Sequence, residues 1–340
     1  MILITGGTGI LGSRLLFDLV KNGEPIRAIS RSTNHAIVEK TFKIYAPDNY
    51  KKLLDTIEWV HGDITDLVSL EGAMDGITKV YHCAGFVSFH PSDYNKMMKI
   101  NVEGTENMVN ICLEKGVEKF VHVSSIAAIG RLKQGELISE ETHWKTSAAN
   151  TGYAISKYGA EREVWRGTAE GLNAVIVNPG VIIAPGNWND NTPAMFNLVW
   201  RGLPVFTEGV NAFVDARDVS KAMIELMESS IHSERFILTS ENVSFKDFFA
   251  HIADGLHKPQ ARIRVGKTLS NIGWRLLAMK GFFTNSRPAI TKETAMASVS
   301  KYYYSNAKIK KAIGIEFIPM KQSIKDVCKV FLKEHNEGNS

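Results

Sequence analysis

Cysteine is scarce in this chain. Three thiols in 340 residues, at positions 83, 112 and 328, form an odd and widely spaced set. No Cys-x-x-Cys pair and no Cys/His cluster offers metal-ligand spacing, so no metal site is expected. A disulfide-stapled fold is excluded on the same grounds, and reduced thiols in a cytoplasmic protein fit the set. Charge of one sign is lacking too. Forty basic against thirty-six acidic residues leave +4, too small and too scattered an excess for a nucleic-acid partner. The pair Lys310-Lys311 reads as solvated surface. The uncharged stretch 171–189 is interrupted by Asn173, Asn178, Pro179, Pro185 and several glycines, so it reads as a buried strand and loop and not as a membrane span. An apolar run begins at residue 2, which leaves no secretory leader to expect.

That run is the most informative stretch present. Ile2-Leu3-Ile4-Thr5 leads into Gly6-Gly7-Thr8-Gly9-Ile10-Leu11-Gly12, and a helical pattern follows with Leu15, Leu16, Leu19 and Val20 on one face, stopped by Asn22-Gly23. Strand, glycine turn and helix in this order suit a dinucleotide. Gly6, Gly9 and Gly12 serve the turn, the approach of backbone to a pyrophosphate, and close helix–strand packing. The unpaired N–H groups and positive dipole end at the helix start favour phosphate.

The alternation continues. Strands are expected at 25–30, 57–61, 79–82, 119–124, 172–178 and 235–238, with helices at 67–74, 102–114 and 153–170 among those between them. Repeated βαβ units imply an α/β fold: a doubly wound parallel (Rossmann) sheet with right-handed crossovers. After about residue 180 the rhythm gives way to loops, a turn at Pro185-Gly186-Asn187-Trp188 and a helix around 194–200. The chain therefore divides into residues 1–180, a cofactor-binding domain with sheet contributions from about 211–240, and 181–335, mainly a smaller α+β lobe over the carboxyl ends of the strands.

Two further clusters carry chemistry. Tyr153 and Lys157 are four apart on an expected helix, so their side chains share a face. A phenol near pKa 10 is a poor acid–base group at neutral pH, and an adjacent ammonium lowers that value. Ser124 and Ser125 end the apolar strand Phe120-Val121-His122-Val123, where a hydroxyl can hydrogen-bond a substrate oxygen.

Together with Gly62-Asp63-Ile64, His82-Cys83-Ala84-Gly85, Asn101-Val102-Glu103-Gly104-Thr105, Tyr153-Ala154-Ile155-Ser156-Lys157, Asn178-Pro179-Gly180 and Asp215-Ala216-Arg217-Asp218-Val219, these motifs show that the chain resembles the extended short-chain dehydrogenases/reductases. Within them it is similar to the dihydroflavonol-4-reductase-like and 3β-hydroxysteroid-dehydrogenase-like members. The resemblance spans nearly the whole chain. It implies Ser125, Tyr153 and Lys157 as the catalytic set, with Tyr153 passing the proton and Lys157 tuning it and holding the nicotinamide ribose. Gly6, Gly9, Ile10, Leu11 and Gly12 would meet the pyrophosphate, Asp63 and Ile64 the adenine, Cys83, Ala84 and Gly85 the cofactor through backbone, and Pro179 and Val181 the nicotinamide amide. Asn101 would fix its helix, and Cys83 would pack without reacting.

At the end of the second strand stands Ser30-Arg31-Ser32, with none of the acid that an NAD site uses for the ribose 2′-hydroxyl. Arg31 can pair with a 2′-phosphate, so NADP(H) is expected, with NAD(H) the alternative. Ile126 and Ala127 stand where dehydratases of the superfamily carry an acidic pair, which argues against elimination. Phe86, Val87 and Phe89, with Ile182, Trp188, Phe196, Trp200, Phe206 and Phe213, suit a flat apolar alcohol, ketone or aldehyde. Of these, Phe86, Val87, Trp188 and Phe196 are the substrate candidates, and core packing is the competing role for each. The segment 272–283 reads as a packed amphipathic helix, with an interfacial membrane helix as the alternative. The resulting expectation is an NADP(H)-dependent oxidoreductase with a small-molecule carbonyl or alcohol substrate, no nucleic-acid partner and no stable membrane insertion. The resemblance adds a homodimer. The alternatives are an NAD-retaining nucleotide-sugar epimerase and a non-enzymatic cofactor-sensing protein.

Overall fold

The computed structural model describes residues 1–147, 150–270, 274–275 and 291–337. Its strands are β1 (Ile2–Thr5), β2 (Ile26–Ser30), β3 (Ile57–His61), β4 (Lys79–His82), β5 (Lys119–Val123), β6 (Leu137–Ile138), β7 (Ala174–Pro179), β8 (Val181–Ile183), β9 (Val205–Phe206), β10 (Val210–Asp215), β11 (Glu234–Leu238), β12 (Glu241–Ser244), β13 (Ile263–Arg264) and β14 (Tyr303–Tyr304). Seven of them form one sheet in the order β11-β7-β5-β4-β1-β2-β3, and every pairing in it is parallel.

Alternating residues face opposite layers, as a sheet buried on both sides requires. Ile2, Ile4, Val121, Val123, Val175 and Val177 pack with the helices Ile10–Lys21, Ala36–Tyr45 and Ala216–Glu228. Leu3, Val80, Phe120, Ala174 and Ile176 face the opposite layer with Leu67–Ala73, Gly104–Glu114 and Gly152–Ala169. The sheet order reverses beside β1, and the loops after β1, β2, β3, β4, β5 and β7 all leave from one edge. That edge is where a doubly wound fold takes its ligands.

Only β11 of the 211–240 stretch joins the large sheet. β10 instead pairs with β8 and β12 in a separate three-stranded sheet. Helices Pro193–Trp200, Phe245–Gly255 and Met320–Glu337 surround it and enclose a second core of Phe213, Phe248, Ile324 and Phe331. Two parallel pairs, β9 with β13 and β6 with β14, join segments distant in sequence.

A polar clasp ties the large layer to this lobe. Lys40 Nζ donates to the Gly186 carbonyl and to Glu334, both at 2.7 Å. It lies 4.5 Å from the Trp188 ring, whose Nε1 also donates to Glu334. Among the described residues, no helix is long and apolar enough to cross a membrane. The segment 272–283 lies outside them except for Trp274 and Arg275.

The glycine turn is held by contact as well as by conformation. A Cβ on Gly12 would lie 2.2 Å from the Gly6 carbonyl oxygen, and Gly6 itself has φ +70°. Gly12→Ala is therefore expected to lower unfolding free energy by about 1–3 kcal/mol, read by urea denaturation. An unchanged midpoint would contradict the packing at this turn.

Candidate active site

Gly9 caps the helix Ile10–Lys21 without a side-chain hydrogen bond. Gly9 N–H donates to Gly6 O at 3.0 Å, and Ser13 N–H to Gly9 O at 2.8 Å. A Cβ on Gly9 would meet nothing nearer than Gly6 O at 3.3 Å. Bare backbone and a helix start without a side-chain cap fit a pyrophosphate. Leu11 is buried in the core, so its side chain packs and only its backbone can serve a ligand. At the neighbouring strand end, Gly85 is exposed, and a Cβ there would come 3.6 Å from Lys157 Nζ. The open backbone of 83–85 and the lysine thus line one path.

Burial pushes the Cys83 thiol up to about 12, which makes it a packing group and not a nucleophile. Asp63 accepts from the N–H and hydroxyl of Thr65, both at 2.9 Å. Burial raises its carboxyl, but these bonds with Arg31 and Lys99 leave it below the usual range. Arg31 is exposed and lies 3.7 Å from Asp63. The turn around it is organised by Ser30 Oγ donating to Ser32 O at 2.7 Å. Ile64 is buried with its side chain under Gly104.

The residues expected to handle the proton converge where β5 ends. Ser125 caps a short 3₁₀ turn, Ile126–Ala128, accepting from Ala127 N–H at 3.1 Å. Its hydroxyl lies beside the phenol of the half-buried Tyr153. Tyr153 is delivered by the helix Gly152–Ala169, which starts there because Thr151 caps it, accepting from Ala154 N–H at 3.0 Å. One turn on, Lys157 is buried and donates to Val123 O at 2.8 Å. Burial raises the Tyr153 phenol, and the Ser125 hydroxyl opposes that rise. Burial pushes Lys157 down to about 8, opposed by Glu161 and Cys83. In this geometry the tyrosine is tuned by Ser125 and by burial, while the lysine is held against the strand.

The loop after β4 forms an apolar rim beside the phenol. Asn101, in a π-helical stretch Met98–Glu103, accepts from Phe86 N–H at 2.7 Å and donates to Phe86 O at 3.0 Å. It also donates to Ser156 at 2.9 Å, so it fixes this loop to the tyrosine helix as well as its own helix. Phe89, 40% exposed, meets the Tyr153 ring edge-on at 5.8 Å. Val87 is exposed and Phe86 half-buried. Two other substrate candidates lie elsewhere. Phe196 is fully enclosed in the lobe core and cannot touch a ligand. Trp188 is held in the clasp and packs on Phe331 at 4.8 Å. Periodicity marks such residues as apolar but not which surface they cover. Pro179 is buried at the end of β7, and Val181 is half-buried in β8.

Some polar groups around the site escape sequence reading. Glu161, Arg235 and His122 sit at element positions that ordinarily read as core or surface. A charged residue within a buried strand, and a carboxylate four residues beyond Lys157, are the available signals. Among the described residues, no group of three His, Cys, Asp or Glu side chains could hold a metal.

Comparison with known proteins places this arrangement. Residues 2–238 match the profile of the NAD dependent epimerase/dehydratase family. The chain is 28% identical over 341 residues to a Synechocystis protein named as a dihydroflavonol 4-reductase, covering 96% of this chain and 93% of that one. It is 28% identical over 267 residues to sterol demethylase protein B of Methylococcus capsulatus, covering 77% and 76%. Among solved structures, gox2253 superposes with a TM-score of 0.80 at 27% identity, covering 98% of both chains. UDP-glucose 4-epimerase of Thermotoga maritima shares the fold at TM-score 0.77 and 19% identity, over 98% of this chain and 99% of that one.

Two buried histidines underlie the site. His82 bridges Thr5 at 2.7 Å and Thr105 at 3.0 Å, and stacks on His122 at 5.2 Å. Burial pushes His82 down to about 3 and His122 well below its ordinary value. Both ring nitrogens of His122 are buried without a partner among the described residues. Because the unfolded chain binds these protons more readily, stability is expected to fall as pH drops from about 6.5 toward 3. His122→Phe is expected to stabilise the protein by about 1–2 kcal/mol at pH 7 and to weaken that acid limb. Urea denaturation at pH 7 and pH 5 measures both, and a destabilised variant would contradict the account.

Proposed function

This chain belongs to the NAD dependent epimerase/dehydratase family, and within it we propose an NADP(H)-dependent oxidoreductase that interconverts a secondary alcohol and a carbonyl on a largely apolar small molecule. The observation that carries the reading is the convergence of Ser125, at the end of β5, on the Tyr153 phenol, with buried Lys157 one helical turn on. Ile126 and Ala127 follow directly, in the place of an acidic pair that elimination would use. Members of the family use nicotinamide cofactors, and the glycine turn, the 83–85 backbone and Lys157 fit one. When bound, the cofactor would supply or accept the hydride at the carbinol carbon.

The protein's own groups handle the oxygen. Ser125 and Tyr153 hydrogen-bond the substrate carbonyl, and the phenol gives its proton as the oxygen gains charge. Burial raises the pKa of Tyr153, which keeps the phenol protonated for reduction. Lys157 holds the ribose and keeps a positive charge near the developing phenolate. Phe89 and Val87 form an apolar rim against which a flat substrate excludes water. One carbonyl, one hydride and one proton give one alcohol. Reductase names among the relatives support this direction. The exposed Arg31, on a turn without a carboxylate of its own, supports NADP(H).

NADPH is expected to bind tighter than NADH. Arg31→Ala is expected to weaken NADPH about 10- to 100-fold while sparing NADH, measured by fluorescence titration. Equal affinities in the unmodified protein would overturn the cofactor assignment. On any reduced carbonyl, Tyr153→Phe is expected to lower kcat about 100- to 10,000-fold with cofactor affinity kept. Inversion of a nucleotide sugar by a protein that retains NAD would favour an epimerase instead.

A further inference from the structure

We propose that Glu161 is a positioning residue that joins the two halves of the proton-transfer site, fixing the Ser125 peptide through Asn178 and holding Lys157 charged through its own carboxylate. The proposal rests on the oxidoreductase reading above and adds a residue to it.

Glu161 lies one helical turn beyond Lys157 and is 1% exposed. A carboxylate so far from water needs partners to stay ionised. It has two. Asn178 Nδ2 donates to one oxygen, and Arg235, on the edge strand β11, lies 3.3 Å from the other. The same Asn178 amide donates to the Ser125 carbonyl at 2.9 Å. One side chain thus ties the peptide of the site serine to the carboxylate behind the lysine. Arg235 is itself fixed, donating to the carbonyls of Glu140 and Thr142. Glu140 in turn accepts from Ile237 N–H at 2.8 Å.

The surroundings of Lys157 make Glu161 the charge that matters to it. Facing it are Cys83 after β4, His82 on β4, His122 on β5 and Glu161 on its own helix. Burial keeps both histidines neutral and the thiol protonated. Glu161 is then the counter-charge that opposes loss of the Lys157 proton. A carboxylate present only to fill space would serve equally well as an amide.

That difference supplies the test. Carbonyl reduction and nicotinamide-cofactor binding are followed against pH in the unmodified protein, Glu161→Gln, Glu161→Asp and Lys157→Met. The alkaline limb should be absent in Lys157→Met, which assigns it. In Glu161→Gln, which keeps the shape, the limb should move down by about one pH unit. In Glu161→Asp, which keeps the charge, it should stay near its original place. A limb unmoved in Glu161→Gln, or moved only in Glu161→Asp, overturns the proposal. If Glu161→Gln does not fold, Arg235→Gln, which leaves the carboxylate without its cation, is read instead. The limb should then move up, and a limb unmoved or moved down overturns the proposal. Absence of turnover in the unmodified protein would count against the oxidoreductase reading alone, because the binding titration still reports the lysine.

Discussion

Lys157 brings a positive charge to a place almost without water, 5% exposed at the end of a parallel strand. Dehydrating an ammonium is costly, so its neighbours must either compensate it or avoid adding to its charge. The Val123 carbonyl accepts from it, and Glu161 stands one turn away. Burial keeps His82 and His122 neutral, with repulsion from the lysine adding to it, and burial keeps Cys83 protonated against the pull of the same lysine. The threonines at 5 and 105 occupy both nitrogens of His82, which lets the ring stay uncharged in the sheet. The polar layer under the site is thus organised by one buried charge.

The sheet makes that arrangement available. Seven parallel strands end at one edge, and at six of those ends Gly6, Arg31, Asp63, Cys83, Ser125 and Pro179, distant in sequence, emerge together. The helix Gly152–Ala169 lies across the neighbouring strands and adds Tyr153, Lys157 and Glu161 from successive turns. Asn101 and Asn178 act as cross-links: each joins a loop at the strand ends to this helix. The lobe is anchored away from the phenol, through Lys40, Trp188 and Glu334.

Much of this was legible in the chain itself. The strands at 57–61 and 79–82 stand where alternation placed them, and the other expected sheet strands differ at their ends by one or two residues. The glycine turn was legible because strand, turn and helix follow in order there, and Tyr153 and Lys157 because their spacing puts them on one helix face. What stayed hidden depends on distant partners. Val210–Asp215 has the composition of a core strand, but its hydrogen bonds go to β8 and β12. The helix expected from 102 begins earlier as a π-helical turn, which lets Asn101 reach Phe86. Phe196 and Phe89 are alike in sequence character, yet one is sealed in the lobe and the other borders the tyrosine. The link from Glu161 to Arg235 spans 74 positions, and no local pattern announces it.

The central claim is that this site moves a hydride between cofactor and carbon while Tyr153 moves the proton. The most direct measurement is reduction of a carbonyl substrate with NADPH deuterated at the transferring C4 position, read by mass and NMR analysis of the alcohol. The account predicts one deuterium on the carbinol carbon for each NADPH oxidised, with the hydroxyl proton coming from solvent. Stereochemical inversion without net NADPH oxidation, or a carbinol hydrogen drawn from solvent, would contradict it.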